Sequence, residues 1–517
     1  MKYDVIIIGT GAGGATLAYK LAPSGKKILI LERGDFLPKE IENWNPREVY
    51  TKGRYRTNEK WKDKAGNLFA PFTHYWVGGN TKMYGAALLR LREIDFKARE
   101  HFDGISPAWD LSYKDFEPWY GEAEHLYSVH GNKGTDPTEP PSSTSFPFPS
   151  LPVEESIQEI WTDMEKVGLR PSTIPIGVRL PQDKSNTKGN QHLSLFDGYP
   201  DPTEAKADAH VVSIQAALKF ENVHILTGRK AEKLITSTDG KRVTSVLATY
   251  NNTEEIYEAD TIVVSAGAIN SAALLLKSRN QVHPQGLGNS SGLLGKNLML
   301  HNNGTIVAIS PRKNTAIFQK SILLTDFYHG SDDTKYPLGS VQLMGKTDPD
   351  TLKEEIEELH LSGIHKNQYG EIDLDYYANH SVDFFITAED LPRSSNRVIN
   401  DNGHIQLDYT PNNLKAYQGL KTKLIDILDQ IGMKHSHSKD TVYAGFKLGV
   451  SGVSHQSGTC KFGVDPSTSV LDLNCKMHDL DNVYVVDTSF FPSSGAVNPA
   501  LTAMANALRI GAHLSSN

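Results

Sequence analysis

A glycine-rich turn close to the N-terminus carries the residue types that bind a diphosphate. It reads GTGAGG over residues 9–14, between an apolar run of strand length and a helix-compatible stretch. Gly9 permits a tight turn, Gly11 lets backbone N–H groups approach a pyrophosphate, and Gly14 lets the helix pack closely on the strands. The helix N-terminus is positively polarised, which suits two phosphates. The order strand, turn, helix therefore predicts a dinucleotide site.

An acidic residue supports this interpretation. Glu32 ends the second apolar run, eighteen positions beyond Gly14. At that spacing a carboxylate accepts hydrogen bonds from the adenosine ribose hydroxyls and repels a 2′-phosphate, so NADP is disfavoured. This unit alone leaves FAD and NAD both open.

A second glycine pair could approach a flat ring. Gly78 and Gly79 are followed by Asn80 and Thr81, whose amide and hydroxyl groups are hydrogen-bond donors. Absence of side chains at the glycines permits close contact with a heteroaromatic ring. A simple structural turn explains the pair equally well.

The C-terminal segment supplies candidates for chemistry. His455 lies in GVSHQSGTCKFG at 452–463, and Asp487 ends the apolar run 482–487. Asn498 and Pro499 then open a predicted helix that runs to about residue 514, since proline suits the first helical turn. The positive end of that helix would favour an anion beside Asn498.

The intervening chain predicts the elements that position these residues. Residues 223–226, 231–236, 243–250 and 261–268 read as strands, the last ending in a turn at Ala266 and Gly267. From about 302 to 450, short β-like runs alternate with amphipathic helices. The runs lie at 304–310, 338–344, 382–387 and 405–409, and the helices at 352–359 and 414–431. We expect an antiparallel sheet with helices on one side.

Composition excludes several classes of partner. The 517 residues carry 61 acids and 53 bases, a net charge of −8, which argues against nucleic acid or an anionic membrane surface. No apolar stretch approaches membrane-spanning length. The first strand begins at residue 3, which leaves no room for a leader peptide and predicts a cytoplasmic protein. Two cysteines make no disulfide framework, and no metal site is predicted.

In chain order, six motifs resemble those of the glucose-methanol-choline (GMC) oxidoreductases. Besides the glycine turn they are VGGNTKMYGAALLRL at 77–91, SAGAINSAALLLKS at 265–278, GKNLMLHNN at 295–303, SHQSGTCKFG at 454–463 and VVDTSFFPSSGAVNPALT at 485–502. The resemblance implies FAD rather than NAD, and oxidation of a CH–OH group by hydride transfer to the flavin N5. It implies an α/β FAD-binding Rossmann-type domain (1–100, 205–300 and 452–517). A discontinuous α+β substrate-binding domain, an antiparallel sheet covered by helices, would comprise 101–204 and 301–451.

Within that family, the His455/Asn498 pair is similar to that of pyranose oxidases, glycoside 3-oxidases and related bacterial sugar dehydrogenases. The resemblance implies oxidation of a secondary hydroxyl of a sugar or glycoside to a ketone. His455 would be the base and Asn498 would hold the same hydroxyl. His301 is given no chemical role. The implied cofactor-binding residues are Gly9, Gly11, Ala12, Gly13, Gly14, Glu32, Arg33, Gly78, Gly79, Asn80, Thr81, Met83, Ala231, Ala266, Gly267, Asp487, Asn498 and Pro499.

Other functions remain open at this stage. The family also includes hydroxynitrile lyases, so a non-oxidative flavoenzyme is one alternative, and an oxidoreductase of a non-sugar alcohol or a silent flavin-binding protein are others. The sequence leaves open which sugar and which carbon react, the oligomeric state, and whether oxygen, a quinone or a cytochrome accepts the electrons.

Two positions depart from the family pattern. Ser278-Arg279-Asn280 stands where the second signature usually reads Ser-Gly-x-Gly, so the following loop is expected to differ. Met83 stands where fungal pyranose oxidases tether FAD through a histidine. We expect FAD to be bound without a covalent bond. Acid precipitation should then leave the yellow colour in the supernatant, and colour retained in the pellet would contradict this.

Replacing Glu32 tests the ribose contact. Glu32→Ala should weaken FAD binding while the fold is retained, because losing a hydrogen bond to a charged group costs about 1.5–3 kcal/mol, or roughly ten- to a hundred-fold in affinity. Fluorescence titration of the apoprotein with FAD measures the change. Glu354→Ala, in a run of acids expected to face solvent, is the matched control. Equal FAD affinity in both variants would count against the predicted role.

Overall fold

The computed structural model describes residues 2–180, 195–346, 374–401, 403–435, 449–452 and 454–516. In these ranges the strands β1 to β21 are Lys2–Ile8, Ile28–Leu31, Trp61–Lys62, Leu68–Phe69, Arg99–His101, Gly104–Ser106, Val129–His130, Ser172–Thr173, Ile176–Gly177, Val223–Leu226, Lys230–Thr236, Val243–Tyr250, Thr253–Val264, Asn302–Ile309, Ile322–Leu324, Ser340–Leu343, Ser381–Ala388, Arg397–Asp401, His404–Asp408, Lys434–His435 and Val483–Val485. The α-helices α1 to α8 of the same ranges are Ala12–Leu21, Tyr113–Leu126, Glu155–Lys166, Gln215–Ala217, Ala268–Lys277, Leu374–His380, Leu414–Gln430 and Ala500–Ser516.

A mixed sheet carries the glycine turn. Within the described ranges its strands run in the order β10, β2, β1, β13, β12, β11, and β21 also pairs with β13. The long strand β13 pairs in parallel with β1 and β21 through its last residues and antiparallel with β12 through its first. The apolar runs of β1 and β2 are buried, as expected for strands covered on both faces. The predicted Rossmann-type fold is confirmed.

A second sheet faces the first across the site. It is antiparallel and, as far as the structure describes it, runs in the order β20, β14, β17, β16, β15, β8. One face is apolar and packs on α3 and α7, with Ile306, Phe384 and Leu424 in one buried cluster. The alternating positions of β14 and β17, among them Thr305 and Phe385, face the opposite side. The predicted antiparallel sheet with helices on one side is therefore present.

One predicted strand lies elsewhere. Residues 405–409 were expected in the antiparallel layer, but the strand His404–Asp408 pairs with β18 and β3. This smaller sheet packs on α5, where Trp61, Ile269 and Leu407 form a buried cluster. Alternation of apolar residues predicts a strand but not its partner, which explains the error. The helix predicted at 352–359 lies outside the described residues, and the division into domains stays a prediction.

No helix in the described ranges is long and apolar enough to cross a membrane.

Candidate active site

One cavity lies between the two sheets and collects the predicted site residues. Its volume is about 730 Å³, within the range of roughly 300–1,000 Å³ typical of small-molecule and cofactor sites. His455, Asn498 and all predicted cofactor-binding residues except Gly14 and Gly78 line it. The two exceptions have packing roles, because a Cβ on Gly14 would lie 2.2 Å from the Gly9 carbonyl oxygen and one on Gly78 would lie 2.9 Å from the Lys82 side chain.

The glycine turn leaves its backbone accessible to the cavity. A Cβ on Gly13 would lie 1.9 Å from the Val486 carbonyl oxygen, whereas one on Gly11 would meet nothing within 4 Å. Gly9 has a φ of +101° and lies against Ser265. The first turn of α1 holds no acidic residue, and no side chain caps its N-terminus. Its N–H groups are therefore available for phosphate oxygens.

Glu32 is buried at the end of β2 and already has protein donors. Its carboxylate accepts hydrogen bonds from the Thr10 hydroxyl, from the Thr10 N–H at 3.1 Å and from the Gly34 N–H at 2.8 Å. Burial raises the pKa of Glu32, and these donors oppose that rise. Since a carboxylate offers about four lone-pair sites, capacity remains for hydroxyl groups. Beside it, the Arg33 guanidinium lies 3.6 Å from the centre of the Tyr75 ring.

Asp487 organises the turns around the cavity. Its carboxylate accepts hydrogen bonds from the Gly267 N–H, the Ser271 hydroxyl, the Ser489 N–H and the Ser489 hydroxyl. Burial raises the pKa of this carboxyl, and the donors oppose the rise. The contacts join the end of β13, the start of α5 and the end of β21. Asp487 thus holds the backbone that lines the cavity.

The second glycine pair packs on the first glycine turn. The Gly78 N–H donates to the Thr10 hydroxyl at 3.0 Å, and the Thr81 hydroxyl donates to the Gly78 carbonyl at 2.6 Å. Gly79 has a φ of +56° and lies against Gly11. Met83 lies at the cavity wall in a small apolar cluster with Tyr55 and others. The two motifs, about seventy residues apart in sequence, form one continuous wall.

A short backbone pairing places two histidines next to each other. Met299 and Ser457 exchange N–H···O bonds of 3.0 and 2.9 Å in antiparallel sense. Continuing this register by two residues brings His301 opposite His455. Their Nδ1 atoms are 3.1 Å apart, and their rings are nearly perpendicular at a centroid separation of 5.2 Å. His301, which the sequence left without a role, is therefore a direct neighbour of the candidate base.

His301 is fixed by its own contacts. Its backbone has a φ of +59°, an uncommon conformation for a residue with a side chain. The Asp390 carboxylate stabilises it by accepting from the N–H groups of Leu300 and His301, both at 3.0 Å. The Nε2 atom of His301 lies 3.3 Å from the Ser494 carbonyl oxygen. These contacts fix the ring beside His455.

The surroundings of His455 favour its neutral form. Burial lowers the pKa of His455 well below the ordinary histidine value, and the nearby positive charge of Lys320 lowers it further. The ring of Phe385 lies against it at a centroid distance of 6.1 Å. Asn303 lies beside it as well, with Nδ2 3.4 Å from the His455 Nδ1.

Asn498 is held from the second sheet. The Gln342 Nε2 donates to its Oδ1 at 2.6 Å, and the Ser340 hydroxyl donates to the Ala496 carbonyl at 2.7 Å. The last helix begins at Ala500, so Pro499 precedes it rather than forming its first residue as predicted. The Ala503 N–H donates to the Pro499 carbonyl at 3.1 Å. The helix N-terminus therefore lies at the cavity wall beside Asn498.

Sequence patterns missed several residues of the second sheet that lie at the site. Asn303, Thr305 and Val307 line the cavity through strand alternation, and Lys320 and Asp197 also contribute to its wall. Alternation along 303–307 could have identified the first three. Nothing in the local sequence distinguishes Lys320 or Asp197 from surface charges.

The residues present fit FAD. One cavity is lined by the N-terminus of α1, whose N–H groups are available, and by Gly11, where open space lies on the side a Cβ would occupy. The buried carboxylate of Glu32 lines the same cavity, as do His455 and Asn498. These are the groups required for a pyrophosphate, a ribose and a reacting substrate at one end.

Comparison with known proteins identifies the family. Two models described as GMC oxidoreductase match residues 3–303 and 394–507. The 6‴-hydroxyparomomycin C oxidase of Streptomyces lividus is 28% identical over 100% of this chain and 92% of its own length. The paromamine 6′-oxidase of Streptomyces fradiae is 27% identical over 98% and 90%. The fructose dehydrogenase large subunit of Gluconobacter japonicus is 24% identical over 98% and 97%.

Solved structures share the fold. Pyridoxine 4-oxidase from Mesorbium loti superposes with a TM-score of 0.66 at 17% identity, covering 100% of this chain and 99% of that one. Formate oxidase of Aspergillus oryzae gives a TM-score of 0.68 at 12% identity, covering 100% and 98%. Because the family models span most of the chain and its cavity fits the cofactor, this protein belongs to the GMC oxidoreductases and is an FAD-dependent oxidoreductase acting on CH–OH groups.

Proposed function

We propose that this enzyme oxidises a secondary ring hydroxyl of a sugar or glycoside to a ketone, with His455 as the base and Asn498 holding the reacting hydroxyl. The single observation that carries the assignment of the base is that His455, which lines the cavity, pairs with His301 behind it, with 3.1 Å between their Nδ1 atoms. Bound FAD supplies the hydride acceptor. The chain's own residues must therefore remove the hydroxyl proton and hold the carbon in place.

The two histidines define which nitrogen of His455 is basic. The His301 Nε2 faces a carbonyl oxygen, so it carries hydrogen and donates. Burial lowers the pKa of His301, so its ring is neutral and its Nδ1 is an acceptor. The facing Nδ1 of neutral His455 then carries hydrogen and donates to it at 3.1 Å, and the longer 3.4 Å contact of the same atom with the Asn303 Nδ2 is not a hydrogen bond in this tautomer. This leaves the lone pair on the Nε2 of His455, where a substrate hydroxyl can deliver its proton.

Asn498 acts as a positioning donor in this proposal. Its Oδ1 accepts from Gln342, which turns its Nδ2 amide hydrogens toward other partners. A hydroxyl oxygen between the His455 Nε2 and the Asn498 Nδ2 would donate to the first and accept from the second. The polarised N-terminus of the last helix, beside Asn498, favours the negative charge that develops as the proton leaves.

Support for a sugar substrate comes from the cavity wall and from the relatives. The second sheet and the loop before β15 contribute the polar side chains of Asn303, Thr305 and Lys320, which suit a ligand with several hydroxyl groups. Relatives that match nearly the whole chain are named as oxidases of paromamine and hydroxyparomomycin and as a fructose dehydrogenase. None of these names is that of a lyase, the non-oxidative alternative.

The remaining assignments follow from the same arrangement. FAD is held without a covalent bond because Met83, at the wall, offers no nucleophile. The glycine-turn sheet and the C-terminal helix form the FAD-binding domain, and the antiparallel sheet forms the substrate-binding domain. Oxygen, a quinone or another acceptor reoxidises the enzyme, and a cytoplasmic location stays a prediction.

Removing the base should slow the chemical step. His455→Ala should lower the rate of flavin reduction by on the order of a hundred-fold or more, because general-base catalysis contributes about 10²–10⁴. Asn498→Ala should cost less, since it removes positioning and leaves the proton acceptor. Anaerobic stopped-flow reduction with saturating sugar measures both, with His224→Ala, at an exposed edge-strand position, as control. Reduction of His455→Ala at the parent rate would assign the base to another residue.

The low pKa of His455 predicts a pH profile. A base is active when deprotonated, so kcat/KM should stay level as pH falls from neutrality and decline only below the ordinary histidine pKa of about 6.5. Burial and the positive charge of Lys320 set this direction. Steady-state rates across pH measure it. A decline centred at or above the ordinary value would contradict the proposed environment.

A further inference from the structure

A buried ammonium group lies in the cavity wall near the candidate base. The Lys320 side chain is 5% exposed and lines the cavity, and its charge lowers the pKa of His455. Its Nζ donates one hydrogen bond, to the Asp197 Oδ2 at 2.6 Å. An ammonium group has three N–H donors, so two have no acceptor in the described part of the chain.

Two glycines, Gly85 and Gly345, leave space for the Asp197 side chain because they have no side chains of their own. A Cβ on Gly85 would lie 2.3 Å from the Asp197 Oδ1, and one on Gly345 would lie 3.0 Å from its Cβ. Both glycines line the cavity. In the described residues Oδ1 has no hydrogen-bond donor, and the side chain is 16% exposed.

Aromatic packing keeps the two charged residues together. Phe196 and Phe318 make an edge contact at a centroid distance of 5.7 Å, one residue before Asp197 and two before Lys320. The pair is therefore fixed in the wall, with unused donors on one partner and an unused acceptor on the other.

The other charged groups at this end serve the wall itself. The Lys346 Nζ donates to the Asn314 carbonyl at 2.7 Å, and the Asp383 Oδ2 accepts from the Gln319 Nε2 at 3.1 Å. Burial lowers the pKa of Lys346, and the charge of Asp383 opposes this. The Lys320–Asp197 pair differs because its remaining donors and acceptor are not used by the described chain.

We propose that Lys320 and Asp197 determine substrate specificity by binding two adjacent hydroxyl groups of a sugar ring and disfavouring a charged group at those two ring positions. This inference rests on the proposed function. One hydroxyl donates to the Asp197 carboxylate, and its neighbour accepts from the Lys320 ammonium. A vicinal diol presents both groups at the spacing of an ion pair, which a simple alcohol cannot do.

The opposite charges of Lys320 and Asp197 disfavour a charged group on the sugar. An ammonium group drawn to Asp197 would lie beside the Lys320 ammonium, and a carboxylate drawn to Lys320 would lie beside the Asp197 carboxylate, because the two partners are 2.6 Å apart. Either charge would lose its water of solvation and face a like charge at this buried site. A neutral polyol meets neither penalty.

Single substitutions should change selectivity in opposite directions. Lys320→Met retains the length of the side chain and leaves Asp197 negative, and Asp197→Asn retains the shape and leaves Lys320 positive. Turnover of methyl glucoside, glucosamine and glucuronate is measured for each variant. We expect the glucosamine-to-glucoside ratio of kcat/KM to rise about tenfold or more in Lys320→Met. The glucuronate-to-glucoside ratio should rise similarly in Asp197→Asn.

The controls separate specificity from damage. Lys335→Met changes a lysine in an exposed pair with Glu100 and should leave all three ratios unchanged. If a single variant fails to fold, the double variant Lys320→Met/Asp197→Asn leaves neither charge unpaired, and it should no longer discriminate between glucosamine and glucuronate. FAD content confirms that each variant is folded.

Each outcome has a distinct meaning. Opposite shifts in the two single variants support the proposal. An equal loss for all sugars, shifts of the same sign, or a parent enzyme that accepts a charged sugar as well as methyl glucoside would overturn it while leaving sugar oxidation intact. A parent enzyme that oxidises none of the three sugars but oxidises simple alcohols would overturn the proposed function itself.

Discussion

The antiparallel pairing of Met299 with Ser457 is the contact on which the site depends. It joins the segment entering the antiparallel sheet to the segment that carries His455. Register in a β pairing determines every side-chain neighbour on it, so two residues further along His301 must oppose His455. Hydrogen bonds from Gly458 to the Thr488 carbonyl and from the Thr459 hydroxyl to the Ala268 carbonyl attach the same segment to the glycine-turn sheet. One short strip of backbone thus sets the geometry of both halves of the cavity.

At the end of the cavity formed by the glycine turn, the constraint is the close approach of backbone segments to one another. Gly13 lies so close to the Val486 carbonyl that a Cβ would be 1.9 Å from its oxygen, and Gly79, with a φ of +56°, packs tightly on Gly11. Such contacts bring strand ends, a helix N-terminus and the second motif together around the predicted cofactor site. Asp487 stabilises this arrangement by accepting hydrogen bonds from residues on both sides of it. The predicted cofactor-binding end of the cavity is therefore built from backbone, whereas the end proposed to bind the substrate is lined by side chains, several of them from the second sheet.

The electrostatic surroundings of His455 explain why a histidine suits the proposed reaction. Burial and neighbouring positive charge both disfavour the imidazolium form of His455. A neutral ring at neutral pH is ready to accept a proton. The same buried environment strengthens the interactions of Lys320 and Asp197 with each other and with a polar ligand, because water screens them poorly. Catalysis and selectivity would then draw on the same low-dielectric cavity.

The amino-acid sequence by itself determined the local elements and the cofactor. The turn at 9–14, the strand that ends just before Glu32 and the helix beginning after Pro499 are encoded by contiguous residues, and short-range spacing suffices to predict them. Ordered motifs identified the family and FAD. Only the tertiary structure decided which strand joins which sheet, as the strand His404–Asp408 shows, and only it placed His301 beside His455 and Lys320 beside Asp197. These contacts join residues more than a hundred positions apart, and they arise from pairing and packing that no local pattern specifies.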